Sequence, residues 1–320
     1  MSIGLGSVHC VLPERRVAVA ELSDLSTLDS EAADFARGCG IDTVTVFDHG
    51  STTDLAARAC RELLAKEPAE PDVLLLVGAR APDVLLGSDA GRVQHEGGVR
   101  AGLTFTVDGL GCAGSSVGWG LARDLLVADP GRNTVLLAHA SRPIAVDRVR
   151  FPVTVIGDGA FAMTLVRDGR PVLRAHRAET DGRFHDLFTV DYRETPWYEW
   201  REECASPDRY RFELALHSRQ RLRRLVDGVL ADAGATAADV RATAMQNVTA
   251  AAFEFYETLL GLPIHPVCKR NLATCGHLGA MDVVLNLDGI LADGALAPGD
   301  LVLVINNSPV AAWTATLWEV

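Results

Sequence analysis

No stretch of this 320-residue chain is apolar over a membrane-spanning length. Its opening, Met1-Ser2-Ile3-Gly4-Leu5, lacks the basic-then-apolar order of a secretory leader, so no signal peptide is expected. Cysteines are few and scattered: Cys10, Cys39, Cys60, Cys112, Cys204, Cys268 and Cys275. An odd number without close pairs excludes a disulfide framework and points to a reduced, cytoplasmic setting. The histidines show no metal-ligand spacing and no glycine-rich phosphate loop is present, so neither a metal nor a permanently bound cofactor is expected. An excess of positive charge is also lacking. The formal net charge of −12 argues against nucleic acid or an anionic membrane as the main partner. The one basic cluster, Arg219, Arg221, Arg223 and Arg224, reads as a solvated helix face in preference to a docking patch for an acidic partner.

What the chain does contain is core: 48% hydrophobic against 22% charged residues, with length enough for one large or two fused domains. Ile3 to Leu12 reads as a strand, Val17 to Ala36 as helical turns and loop, and Thr52 to Ala65 as an amphipathic helix capped by Thr52 or Thr53. Asp72 to Gly78 and Asn133 to Ala140 are short, fully apolar runs, the pattern of strands buried on both faces. Ala160 to Val166, Thr243 to Val248, Leu301 to Ile305 and Ala311 to Trp318 read as further strands, and Tyr210 to Gly234 and Ala251 to Leu260 as helices. Strands alternating with helices call for a layered α/β fold. The segment 181–211 has no clear period and holds Trp197, Tyr198, Trp200 and Tyr210; a substrate-facing loop and a plain surface excursion fit it equally.

The stretch Asp108-Gly109-Leu110-Gly111-Cys112-Ala113-Gly114 stands between an apolar, β-branched run (Leu103 to Val107) and a helical pattern (Val117 to Val127). A strand, a glycine-rich turn and a helix would place Cys112 at the helix's first turn, where unpaired N–H groups and the helix dipole stabilise a thiolate nucleophile. A buried cysteine acting as a small apolar filler fits the same pattern. The block of Gly111-Cys112-Ala113-Gly114, helix, 134–141 and 161–166 has a counterpart in Gly276-His277-Leu278-Gly279, helix, 301–308 and 312–318. Side by side, Cys112 falls on His277. Two similar halves, 1–167 with the cysteine and 168–320 with the histidine, would set the two face to face across a pseudo-twofold axis.

On the cysteine turn, the Gly157-Asp158-Gly159 turn before a strand, and the ending 301–320, the chain resembles the thiolase superfamily, specifically the ketoacyl-acyl-carrier-protein synthase III group. The resemblance implies a five-layered αβαβα fold of two duplicated halves, a homodimer, and an acyl group carried on Cys112 from an acyl-carrier-protein or coenzyme A thioester. Condensing members pair the cysteine with a histidine and an asparagine. Here the family's histidine falls on Gln246, within Ala244-Met245-Gln246-Asn247-Val248-Thr249, and its asparagine falls on His277.

Gln246 donates a hydrogen bond but exchanges no proton, and losing one donor to a developing enolate costs roughly a hundred- to a thousandfold. A Cys–His pair suffices for acyl transfer. The changed pair resembles the acyltransferase branch of the group in natural-product pathways, which implies transfer to a hydroxyl, amine or thiol on a small molecule or carrier. A decarboxylative condensing synthase is the alternative, and a non-catalytic partner subunit of a heterodimer a second one. The resemblance also implies a backbone N–H of the ending in an oxyanion hole; Pro309 has none, so either the hole loses one bond there or a one-residue shift lets Ser308 or Val310 supply it. Gln246 and Asn247 are expected as polar neighbours of the site. Cys275 is expected only to pack, His139 to be structural, and Asp282 to be a surface carboxylate in preference to an orienter of His277.

Overall fold

The computed structural model describes residues 2–143, 148–190, 193–194, 196, 199–200 and 203–320. Nine strands form its main sheet: β1 (Ile3–Val11), β2 (Val73–Val77), β3 (Leu103–Val107), β4 (Thr134–Ser141), β5 (Gly159–Arg167), β6 (Val172–Thr180), β7 (Val240–Met245), β8 (Leu301–Ser308) and β9 (Ala312–Glu319). Their spatial order is β7-β8-β9-β6-β1-β5-β4-β2-β3. Two sets meet edge to edge at the single pair Gly4–Val172 between β1 and β6. Outward from that seam each set repeats one plan: two antiparallel neighbours (β5 and β4; β9 and β8), then a parallel one (β2; β7). The first set adds β3, parallel to β2. In the second set this outermost strand is reduced to one parallel bridge, Thr243–Ile264.

Among the described residues, eight α-helices complete the layers: α1 (Ser30–Gly38), α2 (Thr52–Lys66), α3 (Asp89–Glu96), α4 (Gly114–Ala128), α5 (Ala215–Asp232), α6 (Ala250–Leu260), α7 (Pro266–Cys275) and α8 (Asp282–Ala292). α2 and α3 cover one face of the first set, and α5 covers the second. Between them lie α4, which touches strands of both sets, and α8, which packs on β7, β8 and α4. The sequence is helix, sheet, helix, sheet, helix, a five-layered α/β fold.

The apolar runs behave as a two-faced strand must, because successive side chains point to opposite faces. Leu74, Leu76, Leu136, Ala138 and Ala162 face Leu55, Ala59, Cys60 and Leu63 of α2. Val73, Leu75, Val135, Leu137 and Met163 face Trp119, Ala122 and Leu126 of α4. Trp119 is fully buried, meets Trp318 edge-on with centroids 5.3 Å apart, and directs its indole N–H at the Met163 sulfur. Among the described residues, no helix is long and apolar enough to cross a membrane.

Several boundaries differ from those expected. The cap of α2 is Ser51, not Thr52 or Thr53. Ser51 alone has the extended backbone that lets its hydroxyl meet the Asp54 N–H while the Asp54 carboxylate accepts from the Ser51 N–H at 2.8 Å. The threonines turn instead to Asp83, which accepts from the Thr52 hydroxyl at 2.9 Å and the Thr53 N–H at 2.9 Å. β7 stops at Met245, short of Val248, because the Asn247 N–H leaves the ladder for Asp282. The basic cluster on α5 is largely the solvated face expected: Arg219, Arg223 and Arg224 are exposed, with Arg223 donating to the Leu259 carbonyl and Arg224 beside Glu179, while half-buried Arg221 pairs with Glu179 and Asp181. Of the aromatics in 181–211, Trp197 and Tyr198 lie outside the described residues, Trp200 borders the cavities described below, and Tyr210 packs edge-on against Phe188. β6, α3 and α7 have no counterpart in the sequence reading.

Candidate active site

Cys112 sits in a single 3-10 turn, Gly111–Ala113, that runs directly into α4. Gly109 and Gly111 have φ of 77° and 52°, backbone that side chains disfavour, and they bring the chain round sharply from the end of β3. The matching turn before α8 is Gly279–Met281. Its counterpart of Cys112 is therefore Ala280, and His277 lies three residues ahead of that place, a correction to the expected turn-on-turn pairing. His277 sits instead on an extended bridge to Ile156. Its N–H donates to the Val155 carbonyl at 2.9 Å, and its carbonyl accepts from the Gly157 N–H at 3.0 Å.

This crossing is tight. A β-carbon at Gly157 would stand 2.0 Å from the Cys275 carbonyl oxygen, and Gly276 needs φ of 74°. The segment is braced from behind by Asp158, fully buried, which pairs with Arg148 at 2.8 Å and accepts from the Phe47 N–H at 2.8 Å.

The outcome is a linear array. Cys112 Sγ lies 2.9 Å from His277 Nε2, and His277 Nδ1 lies 2.5 Å from Asp282 Oδ2. Asp282 is fully buried, so the expectation of a surface carboxylate is wrong. It occupies the first position of α8, where helix N–H groups favour a negative charge. Oδ2 also accepts from the Asn247 N–H at 2.9 Å, and Oδ1 from the Leu278 N–H at 2.8 Å. Burial pulls the His277 pKa down, but charge on Cys112 and Asp282, at either end of the ring, outweighs it and raises the pKa to about 10. The surroundings of the ring thus favour the imidazolium form of His277.

The other expected residues divide. Ser308 lines the cavities on both sides of Cys112, as does Pro309. The Val310 side chain borders one cavity, and the Val310 N–H points at the Ser308 hydroxyl, 3.4 Å away. Gln246 lines neither cavity. Its amide nitrogen donates to the Asn307 carbonyl at 3.0 Å and to the Asn307 side chain. Asn247 serves through its backbone, while its side-chain oxygen accepts from Asn286 at 2.8 Å. Cys275 packs, buried, with its sulfur 3.6 Å from the Thr274 hydroxyl. His139 is buried and makes a 3.0 Å contact from Nδ1 to the Val77 carbonyl, and burial holds its pKa down at about 4. Unanticipated was Asn306, whose amide donates to the Cys112 carbonyl at 2.8 Å and pins the turn.

Two cavities meet at Cys112, a residue that is 8% exposed. One, of about 300 Å³, is lined by Arg80, Asp108, His139, Ser141, Arg142 and Arg150 among others. The second, of about 160 Å³, has a largely apolar wall that includes Val153, Leu214, Met245, Val248, Phe255 and Tyr256. A third cavity, of about 930 Å³, has neither Cys112 nor His277 on its wall. Among the described residues no cluster of side chains could hold a metal ion.

Five layers, two like halves and a cysteine–histidine pair at their junction define a thiolase-like protein. Residues 230–320 match the family model for the C-terminal part of 3-oxoacyl-[acyl-carrier-protein] synthase III. The chain is 29% identical to a β-ketoacyl-[acyl-carrier-protein] synthase III of Streptomyces coelicolor, across 98% of this chain and 94% of that one. It is 26% identical to the acetoacetyl CoA synthase NphT7 of a Streptomyces species, across 94% and 93%. Among solved structures, ChlB3, an acyltransferase, superposes with a TM-score of 0.82 at 23% identity over 100% and 98% of the two chains. A 3-oxoacyl-(acyl-carrier-protein) synthase III superposes at 0.80 and 22% identity over 100% of both. Over nearly its whole length the chain is similar to ketoacyl synthase III enzymes, whose thiolase-like fold it shares.

Proposed function

We propose that this protein is an acyltransferase that carries its acyl group on Cys112 and does not form carbon–carbon bonds. The observation that carries the reading is the array of Cys112, His277 and Asp282, with steps of 2.9 and 2.5 Å. In the first half-reaction the Cys112 sulfur attacks the carbonyl carbon of a carrier-protein or coenzyme A thioester. The departing thiolate takes the proton from His277 Nε2. Acylation removes the charge on Cys112 that raises the His277 pKa, so the imidazole that remains is a base. In the second half-reaction Nε2 accepts the proton of an incoming hydroxyl, amine or thiol as it attacks, and the Cys112 thiolate departs beside the regenerated imidazolium. Asp282 holds the ring with Nε2 towards the sulfur. The Ser308 hydroxyl, on the wall shared by both cavities, is a donor for the oxyanion that Pro309 cannot serve.

Support for the non-condensing reading comes from Gln246. Condensation needs a second donor beside the histidine at the extender's thioester oxygen, and the residue at that place in the chain lines neither cavity and is bound to Asn307. The curated relatives are condensing synthases, which favours a decarboxylative condensing synthase as the second reading. One experiment separates the two. Incubation with acyl thioesters is expected to add an acyl mass that Cys112→Ala abolishes. Addition of a malonyl thioester is then expected to release no carbon dioxide and no β-keto product; their appearance would refute the first reading. Absence of labelling by every donor would instead indicate a non-catalytic subunit. Within the proposal, the protein acts as a homodimer in the cytoplasm on a natural-product pathway, with an acyl carrier protein or coenzyme A as donor partner.

A further inference from the structure

The two cavities at Cys112 differ in chemistry, and a thioester substrate must divide itself between them. The smaller has a largely apolar wall, on which Arg211 is paired with Glu31 at 2.9 Å, and suits a flexible neutral arm. Among the described residues, the larger has three arginines on its wall, Arg80, Arg142 and Arg150, against one acid, Asp108, whose carboxylate already accepts from the Gly109 N–H at 2.7 Å. Its histidine away from the array, His139, is neutral, because burial lowers its pKa to about 4. Seating a hydrocarbon chain in this chamber would strip water from guanidiniums without returning a hydrogen bond, a costly exchange.

The arginines are not equivalent. Arg142 directs its fork at the carbonyls of Gly50 and Phe47 and so shapes the wall. Arg150 is 9% exposed and lies on the two-residue strand Val149–Arg150, whose partner strand Thr154–Val155 leads straight into the residues that grip His277. Arg80 leaves the end of β2 through Gly78 and Ala79, is open to the chamber, and lies near enough to Cys112 for the sulfur's charge to act on it. Both engage other groups as well, and a guanidinium's five donors serve more than one partner.

We propose that the larger chamber takes an acyl group ending in a carboxylate, a short dicarboxylic acid half-thioester, read by Arg80 and Arg150 while its thioester carbonyl meets Cys112. Such a group places its second charge a few bonds from the reacting carbon, within the chamber whose wall carries these two guanidiniums. The phosphate of a carrier arm or of coenzyme A lies many bonds further from the sulfur, so the acyl group itself is what they read. This rests on the acyl-cysteine reading above.

The test compares donors of equal chain length. Succinyl-CoA and butyryl-CoA differ in one terminal carboxylate, and the initial rate of Cys112 acylation by each is followed by intact mass, with Cys112→Ala as the blank. Succinyl loading is expected to be faster by about tenfold or more, the scale of one charge-assisted hydrogen bond. Arg80→Gln and Arg150→Gln are each expected to lower the succinyl-to-butyryl ratio by about tenfold, and Arg80→Lys to restore part of it. A ratio is unmoved by partial loss of folded protein. Butyryl loading as fast as succinyl loading, or ratios untouched by both variants, would overturn this inference and leave the acyl-cysteine reading intact. No loading of Cys112 by either donor, nor by any other, would overturn both.

Discussion

The sharpest test of the array is Asp282→Asn, which keeps the size of a fully buried side chain and changes only its donors and charge. Three N–H groups converge on the two carboxylate oxygens: His277 Nδ1, the Asn247 N–H and the Leu278 N–H, at 2.5, 2.9 and 2.8 Å. Asparagine has one acceptor oxygen and one NH₂ group. If the NH₂ faces His277, Nδ1 must become an acceptor and Nε2 carries the hydrogen, the wrong tautomer for a base at the sulfur. If it faces outward, it meets the Leu278 N–H donor. Either way one backbone N–H loses its acceptor and the His277 contact loses its charge, at about 1.5–3 kcal/mol each. At 1.4 kcal/mol per factor of ten, this is a drop of roughly 10²–10⁴ in acyl transfer, in line with the about 10⁴ loss known for the same change in a serine-protease triad. The assay is single-turnover decay of acyl-Cys112, followed by intact mass, with N-acetylcysteamine as the acceptor thiol. A loss of less than about tenfold would mean that the His277 ring is oriented by something other than this carboxylate.

Two further outcomes follow from the same contacts. Because the His277 pKa is raised to about 10 in the folded protein, above an unfolded value near 6.5, its stabilisation is complete below about pH 6.5 and is lost as pH rises through 10. The melting temperature should fall on that limb, and fall less in His277→Ala; an identical alkaline limb in both would remove the charged pair from the account. Gly157→Ala should destabilise the protein by about 1–3 kcal/mol or more in a denaturant titration and slow acyl transfer, since the new methyl would meet the Cys275 carbonyl 2.0 Å away and lift the segment that carries His277. A variant with unchanged midpoint and rate would show that the crossing is not as tight as drawn.

Much of the architecture is visible in the chain as written. The run Val73–Val77 is apolar at every position because helices cover it on both sides. The glycines before Cys112 mark a turn that only their backbone allows. The likeness of the two halves carries through to strands that repeat one plan on either side of the Gly4–Val172 seam. Elements whose stability is borrowed from tertiary contacts were harder to see. α7 has little amphipathic contrast and sits against the short strand Thr43–Thr45 and α8, and the outer strand of the second half has shrunk to one bridge at Ile264.

The site divides along the same line. Periodicity, glycine placement and the repeat are local properties, written in neighbouring residues; they drew attention to Cys112 and His277, although the repeat set His277 opposite Cys112 where the structure sets Ala280. Whether Asp282 faces water or the imidazole depends on which side of α8 meets β7 and α4. Gln246 turns to Asn307 and away from the sulfur because of how the end of β7 meets β8. The basic wall of the larger chamber joins Arg80 to Arg150 across seventy positions of chain. Those contacts are made through space between segments with no covalent reason to be neighbours, and only the packed structure decided them.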